Sequence, residues 1–236
     1  MVYAKRIDGR DWTELRPMSA KVGVIDNAHG SATFSMGKTV AFAAVYGPRE
    51  LYPKFLQDPK KGLLRCHYNM MPFSGAGERV RPGPSRRSRE ISLVMANALL
   101  PVMDMTQFPN AVVDVFVEFT QTDAGSRCAG ICAAALALAD AGLTMKDLVT
   151  AVAVGKIDDK FVVDLNYEED SYKEAEAADV PVAVLPNSGK ISLLQMDGII
   201  EPEELPKLLE LAREATKKIY EVQKKALLKK FEVDVS

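Results

Sequence analysis

Cysteine, histidine and long apolar runs are scarce in this sequence, and each scarcity excludes a class of protein. Of 236 residues, three are cysteines and two are histidines. Cys66, Cys128 and Cys132 cannot all pair, so a disulfide scaffold is excluded. No run approaches the roughly 18 apolar residues that a membrane span needs. The first ten residues lack the apolar core of a secretory leader, and we therefore expect a cytoplasmic protein.

The same scarcity argues against a zinc-type metal site. Cys128 and Cys132 lie four residues apart in a segment with a helical pattern, so they share a face. The two histidines, His29 and His67, are not at a ligand spacing from that pair. The sequence therefore favours reduced thiols in a protein core.

Composition predicts an ordinary globular protein with a sizeable core. Hydrophobic residues make up 47% of the chain and charged residues 26%. The length fits one large domain or two small ones, and we predict a single domain over residues 1–236. A weak echo between the hairpin patterns at 25–37 and 185–198 suggests that its two halves are similar.

Charge is distributed unevenly although the net charge is only −2. Residues 49–90 contain ten basic and four acidic side chains, whereas residues 158–179 contain nine acidic and two basic ones. A basic segment attracts phosphates, and an acidic segment holds a divalent cation or supplies a proton. Most residues of both segments are typical of solvated loops, so only specific motifs inside them indicate function.

Hydrophobic periodicity predicts a mixture of strands and helices, and therefore a mixed α/β fold. Strands are predicted at 22–25, 32–36, 39–46, 64–71, 111–119, 149–154, 161–165, 182–185 and 191–195. Helices are predicted at 88–102, at 128–141 and from Glu201 onward. Gly47 and Pro48 are predicted to end the third strand.

The first motif that carries chemistry is Gly125-Ser126-Arg127, at a predicted junction of strand and helix. A helix start has free backbone N–H groups and a partial positive charge, which suit an anion. Ser126 is also a common helix cap. The adjacent guanidinium of Arg127 favours a phosphate site over a simple cap.

The second motif is the arginine pair Arg86 and Arg87, just ahead of a predicted helix. Arginine makes planar, paired hydrogen bonds to phosphate oxygens. Adjacent arginines repel each other, so either an anion bridges them or both extend into solvent. Spacing alone favours solvent.

The third motif is a pair of acids, Asp164 and Asp170, six residues apart. Asp164 ends an apolar strand, and a strand end beside a turn can direct two carboxylates at one point. Two close carboxylates share a proton or a metal ion. An acidic surface turn is the commoner explanation. Together, the three motifs are what cleavage of a phosphodiester by inorganic phosphate requires.

These motifs and several others resemble the RNase PH family over nearly the whole chain. The matching segments are Arg6–Arg10, Gly30–Gly37, Ala44–Pro48, Arg87–Ile91, Gln121–Arg127, Ala137–Gly142, Ala153–Lys156 and Asp164–Asp170. Within the family, the chain closely resembles the catalytic ring subunit of the archaeal exosome. It implies the mixed α/β fold shared with the second domain of ribosomal protein S5.

The resemblance also implies an activity and partners. The expected activity is 3′→5′ degradation of single-stranded RNA by phosphorolysis, with inorganic phosphate as co-substrate, Mg²⁺ or Mn²⁺ as the metal, and nucleoside diphosphates as products. The expected assembly is a six-membered ring in which this chain alternates with a catalytically silent paralogue. RNA-binding cap subunits are expected on top of the ring.

Site residues carry over from the family one by one. Gly125, Ser126 and Arg127 match its phosphate-binding turn, and Arg86 and Arg87 match the pair that grips the RNA backbone. Asp164 and Asp170 match the catalytic carboxylates, one as general acid and the other as metal ligand, with their order left open. The remaining matches are Asp179 as a further metal ligand, and Lys60, Lys61, Arg65 and His67 on a basic loop that narrows the channel.

Three alternatives remain open from the sequence. The first is a bacterial-type RNase PH, a homohexamer that trims tRNA 3′ ends by the same chemistry. The second is a silent ring subunit, which would lack the phosphate turn and the carboxylates. The third is a small-molecule phosphotransferase on a related fold, for which the Gly75–Gly83 loop is a poor nucleotide-binding motif.

Overall fold

A computed structural model describes residues 5–77, 79–172 and 177–231 and shows two β-sheets. The larger sheet has five strands in the order β1-β2-β3-β5-β4, with β4 parallel to β5 and all other neighbours antiparallel. Its strands are β1 (Met18–Val22), β2 (Gly30–Met36), β3 (Thr39–Glu50), β4 (Leu63–Met70) and β5 (Ala111–Gln121). The strand β4 forms one edge of this sheet.

The smaller sheet has four antiparallel strands in the order β7-β6-β8-β9. They are β6 (Thr150–Ile157), β7 (Lys160–Val163), β8 (Ala177–Val184) and β9 (Ile191–Leu194). The four strands that the sequence predicted in this region are confirmed, with bounds that differ by a few residues.

The described residues form four α-helices beside the sheets. They are α1 (Arg86–Leu99), α2 (Ser126–Asp140), α3 (Tyr167–Asp170) and α4 (Leu205–Phe231). Short 3-10 turns occur at Lys54–Leu56, Leu100–Val102 and Met105–Gln107. In the described part of the chain, no helix is both long and apolar enough to cross a bilayer.

The helix α2 is the centre of the core. It is buried on all sides, because it packs on β2, β3 and β5 of the larger sheet and on β6 and β8 of the smaller one. Small side chains allow this close packing. At its C-terminal end, a Cβ on Gly30 would lie 2.2 Å from the backbone nitrogen of Ala141, so only glycine fits there. The three cysteines are buried and unpaired, as predicted.

The predicted mixed α/β class is confirmed, and several local predictions are wrong. The last helix begins at Leu205 and not at Glu201. The first strand lies at Met18–Val22 instead of 22–25, because the chain turns at Gly23, which has a φ of +68°. Gly47 and Pro48 do not end β3. The register shifts between Tyr46 and Arg49, and the strand continues to Glu50, because a β-bulge accommodates a proline that a regular ladder would exclude.

The single domain with two similar halves stays a prediction. Part of the acidic segment, residues 173–176, lies outside the described residues.

Candidate active site

The turn between β5 and α2 has a backbone geometry that suits an anion. Ala124 and Gly125 both have left-handed backbone conformations, with φ of +53° and +62°, which reverse the chain after the strand. The first bond of the helix runs from the Ala129 N–H to the Gly125 carbonyl. The amides of Ser126 and Arg127 therefore have no helical acceptor, and they point toward any anion placed at this end of the helix.

Tyr68 connects the edge strand β4 to this turn. Its buried hydroxyl lies 2.8 Å from Oγ of Ser126. Burial raises the pKa of Tyr68, and the nearby guanidiniums of Arg87 and Arg127 oppose that shift. The phenol is therefore neutral at physiological pH and holds the serine in a fixed position.

The arginine pair lies at the start of α1. Ser85 caps this helix through a reciprocal capping box with Ser88, and the first helical turn contains no acidic residue. A cation at this positive end is disfavoured by about 0.3–1 kcal/mol. Arg86 and Arg87 are both exposed, and Arg87 lies near Tyr68 and the carboxylates described next. An anion at this position would offset the unfavourable charge.

Two carboxylates, Asp170 at the end of α3 and Asp179 on β8, lie within electrostatic reach of Arg87, whereas Arg86 has no contact with them among the described residues. Burial raises the pKa of Asp179 to about 7, and the negative charges of Asp170 and Asp197 add to the shift. Arg127 and Arg87 oppose it. Burial also raises the pKa of Asp170, which is the more exposed of the two. The two carboxylates and the two arginines are thus within electrostatic reach of one another.

The segment that follows β9 helps to close this cluster. The Arg127 guanidinium donates to Oε1 of Gln195 at 2.6 Å, and Nε2 of Gln195 lies 3.3 Å from Oε1 of Glu90 on α1. Asp179 and Asp197 exchange two backbone hydrogen bonds of 2.8 Å. The cluster therefore forms where α1, α2 and the smaller sheet meet.

Asp164 is not part of the cluster, and the predicted convergence of Asp164 with Asp170 is wrong. Its carboxylate is fully buried and accepts three hydrogen bonds from Arg16, at 2.8 Å from the backbone N–H, 3.0 Å from Nε and 2.6 Å from a terminal nitrogen. Both oxygens are therefore occupied. The same contacts exclude Asp164 as the metal ligand that the resemblance implied.

Arg16 nevertheless connects Asp164 to the anion turn. The Arg16 guanidinium donates to the backbone carbonyl of Asp123. A Cβ on Gly125 would lie 3.2 Å from a terminal nitrogen of the same guanidinium. The backbone N–H of Tyr167 donates to Oδ1 of Asp123 at 3.0 Å, which ties the segment that bears Asp170 to the same turn. Asp164 therefore stabilises the anion turn through Arg16 and is not itself part of the cluster.

The four basic residues assigned to a channel loop also lie apart from the cluster. Lys60 and Lys61 are exposed in the turn before β4. Arg65 and His67 lie on β4 and face the side opposite to Tyr68, since side chains alternate along a strand. Both reach Asp114 on β5, at 2.6 Å and 3.4 Å.

Sequence reasoning missed four residues of this region: Arg16, Tyr68, Gln195 and Asp197. A signal existed for Tyr68, because the alternation of β4 places it on the same face as the core residues Leu64 and Cys66. Asp179, which the resemblance implied as a further metal ligand, is the acidic residue in the otherwise apolar strand β8. Nothing in the local sequence singles out Gln195 or Asp197.

Comparisons with known proteins agree with this geometry. The sequence profile of the 3′ exoribonuclease family matches residues 14–144 with its domain 1 and residues 147–215 with its domain 2. The exosome complex component Rrp41 of Thermococcus kodakarensis is 54% identical over 227 residues, which cover 96% of this chain and 90% of that protein. Its counterpart in Methanopyrus kandleri is 49% identical over 226 residues, which cover 96% and 93%.

A solved structure shows the same fold. The crystal structure of rice Rrp46 superposes with a TM-score of 0.80, covering 93% of this chain and 98% of the rice chain, at 24% sequence identity.

Proposed function

Because this chain belongs to the RNase PH type of the 3′ exoribonuclease family, we propose that it shortens single-stranded RNA from the 3′ end by phosphorolysis. The observation that carries the proposal is the meeting of Arg87, Arg127, Asp170 and Asp179 around the turn at Gly125. It combines binding groups for two anions with a source of protons, and phosphorolysis needs both.

The two anions occupy different parts of the cluster. Inorganic phosphate binds the free amides at the start of α2 together with the Ser126 hydroxyl and Arg127. The last phosphodiester of the RNA binds Arg86 and Arg87 at the start of α1. Neutralising both anions removes their mutual repulsion and aligns the attacking oxygen with the phosphorus.

The reaction exchanges one P–O bond for another. An oxygen of inorganic phosphate forms a bond to the terminal phosphorus, and the bond between that phosphorus and the 3′ oxygen of the preceding nucleotide breaks. The released 3′ oxygen takes up a proton, and the departing nucleotide leaves as a nucleoside diphosphate. Phosphate and not water is the attacking group, so the activity is phosphorolytic instead of hydrolytic.

The proton comes from the pair Asp170 and Asp179. Two close carboxylates titrate as a unit and retain a proton near neutral pH, and the pKa of Asp179 near 7 agrees with this. Asp170 is the more exposed member, so it would be the one that faces the substrate and donates the proton. A carboxylic acid with a pKa close to the working pH is the most effective proton donor.

The same pair suits Mg²⁺ or Mn²⁺. One oxygen of Asp179, Oδ1, is buried and has no hydrogen-bond partner among the described residues. Carboxylate oxygens are hard ligands, and Mg²⁺ is commonly held by one or two carboxylates while it keeps several waters. The bound ion would offset negative charge on the substrate phosphates. Asp179 would hold it, and Asp170 would remain the proton donor.

We further propose the setting in which this activity operates. The relatives of about half-identical sequence are exosome components, so this chain would be the catalytic member of an archaeal exosome ring in the cytoplasm. In that ring it would alternate with a catalytically silent paralogue below RNA-binding caps. Lys60, Lys61, Arg65 and His67 would contact the RNA on its way to the cluster.

The test uses RNA labelled at its 5′ end, incubated with the assembled protein with and without inorganic phosphate. Stepwise shortening that needs phosphate and releases nucleoside diphosphates is the expected result. Release of nucleoside monophosphates without phosphate would show hydrolysis and refute the proposal. Asp159→Asn, in the exposed turn between β6 and β7, is a matched control that should keep full activity.

A further inference from the structure

One face of the five-stranded sheet is uncovered. The helices α1 and α2 pack on the inner face, where Phe34, Val115 and Phe119 are fully buried. Side chains that alternate with these point to the opposite face. Among the described residues, no helix packs on that outer face, and aromatic rings lie there beside two arginines.

The rings form a row across neighbouring strands. His67 on β4 and Phe116 on β5 are register partners, and their rings stack at 4.6 Å with planes only 9° apart. Tyr46 on β3 meets the edge of Phe116 at 6.0 Å. The side chain of His67 is 44% exposed, so one face of a flat, preorganised ring is open to solvent.

The arginines beside this row are held by a buried carboxylate. Asp114 is fully buried, and Arg49 and Arg65 each bind it at 2.6 Å. The side chains of Arg49 and Arg65 remain 54% and 38% exposed, so two positive groups lie over the buried carboxylate of Asp114. Arg49 uses a single nitrogen for Asp114 among its described contacts, which leaves donors for an outside anion.

This face continues toward the active site around the edge strand. A cavity of about 370 Å³ lies between β4 and α1, and its lining includes His67, Asn69, Arg89 and Ser92. The residue after His67, Tyr68, points the other way and contacts Ser126 of the anion turn. A chain that leaves the arginine pair at the start of α1 can therefore pass through this cavity onto the outer face.

We propose that the outer face, defined by Tyr46, Phe116, His67, Arg49 and Arg65, is a second binding surface for single-stranded RNA upstream of its 3′ end. The proposal rests on the proposed function, which supplies the RNA. Proteins bind unpaired RNA by stacking bases on aromatic rings of an open sheet and by placing guanidiniums beside the backbone. Because every base has a flat face, the surface would not select for sequence. It would increase the retention of long substrates.

Two pairs of variants test the surface. The Phe116 pair separates base stacking on the ring from apolar packing in the sheet, and the arginine pair tests the position of the charge. Phe116→Leu removes the aromatic face and keeps an apolar side chain, whereas Phe116→Tyr keeps the ring. Arg49→Ala removes an exposed guanidinium, and Arg213→Ala, on the exposed side of α4, is its charge-matched control.

The affinity of the assembled protein for single-stranded RNA is measured without phosphate, so that the substrate is not consumed. For an RNA of about 30 nucleotides we expect Phe116→Leu to weaken binding about fivefold or more. Arg49→Ala should weaken it and lower the salt dependence of binding, while Phe116→Tyr and Arg213→Ala should have no effect. An RNA of about 4 nucleotides fills only the arginine pair and should bind all variants equally.

A second measurement needs no variant. RNA that carries a photoreactive base upstream of the 3′ end should crosslink to β4 or β5 at His67 or Phe116. Crosslinks elsewhere, together with equal affinities of Phe116→Leu and Phe116→Tyr for the long RNA, would refute the proposal that the outer face binds RNA. A smaller assembly with unchanged RNA affinity would assign the face to a neighbouring chain and overturn it equally.

Failure of this surface is distinguishable from failure of the proposed function. If the wild-type protein degrades both RNAs with phosphate and the face variants leave long-RNA binding unchanged, only the surface is refuted. If the wild-type protein degrades neither RNA, the proposed function itself is refuted.

Discussion

Two acidic centres lie six residues apart in sequence and have opposite surroundings. Asp164 is fully buried, and Arg16 occupies both of its oxygens. Asp170 lies with Asp179, whose Oδ1 lacks a hydrogen-bond partner among the described residues and whose pKa is raised to about 7. A carboxylate with all its partners holds structure together, whereas a carboxylate that lacks partners keeps its proton and can react.

The largest effect is expected from Asp170→Asn. Loss of the proton donor should lower the rate of phosphate-dependent RNA shortening about 10²–10⁴-fold, because an amide cannot protonate the leaving 3′ oxygen. The melting temperature should change little, since Asp170 is exposed and has no ion pair among the described contacts. Rates from single-turnover experiments with saturating RNA measure this step. Activity within a fewfold of wild type would remove Asp170 from the reaction.

Asp164→Asn tests whether the buried Asp164 stabilises the fold. Removing one partner of a buried ion pair leaves Arg16 with the more distant carboxylate of Asp123, at 3.7 Å, and we expect the free energy of unfolding to fall by about 3–5 kcal/mol. Asparagine retains the left-handed backbone at this position, where φ is +57°, so the loss reports on the charge. Urea denaturation measures it. The double variant Asp164→Asn with Arg16→Met should recover part of the loss, and additive losses would show that the two residues do not interact.

The raised pKa of Asp179 predicts a pH dependence of stability. Since its pKa is higher in the folded protein than in the unfolded chain, the protonated form stabilises the fold. This stabilisation is complete below about pH 4 and is lost as the pH rises through about 7. Denaturation at pH 5 and pH 8 should therefore show a decline that is absent from Asp179→Asn, on the order of 1 kcal/mol for each pH unit between pH 5 and pH 7. Parallel curves for the two proteins would show that Asp179 ionises normally.

The smallest effect is expected from Gly125→Ala at the anion turn. A left-handed conformation costs an L-residue about 1–2 kcal/mol, and the added Cβ would lie 3.2 Å from the Arg16 guanidinium. Stability should fall by about that amount, and the KM for inorganic phosphate should rise while RNA affinity stays unchanged. Gly189→Ala, also at positive φ but in open space, is the matched control. Equal phosphate KM values in both variants would exclude a role for this turn in binding phosphate.

The sequence was sufficient to predict those elements that a local residue pattern defines. Period-two alternation located β5, and small apolar residues at helical spacing located α2. The anion turn was recognisable because glycine, serine and arginine act together within three residues. The helix start that carries Arg86 and Arg87 was predicted two residues late, because arginines at N-terminal positions are atypical of a helix.

The sequence was insufficient for contacts between distant residues. The partner of Asp164 is 148 positions away, so a strand-end carboxylate looked available when it was already paired. Asp179 and Asp197 become neighbours only when the backbones of β8 and the segment after β9 pair. Burial and pairing, which decide whether a carboxylate is structural or reactive, are properties of the assembled sheets.

The most direct test compares Asp164→Asn with Asp170→Asn in one assay, at a temperature where both variants are folded. The measured quantity is the rate of nucleoside diphosphate release from single-stranded RNA with saturating phosphate. We predict that Asp164→Asn stays within about tenfold of wild type, whereas Asp170→Asn loses about 10²-fold or more. The reverse order would contradict the assignment, because it would place the reacting acid at the carboxylate that Arg16 occupies.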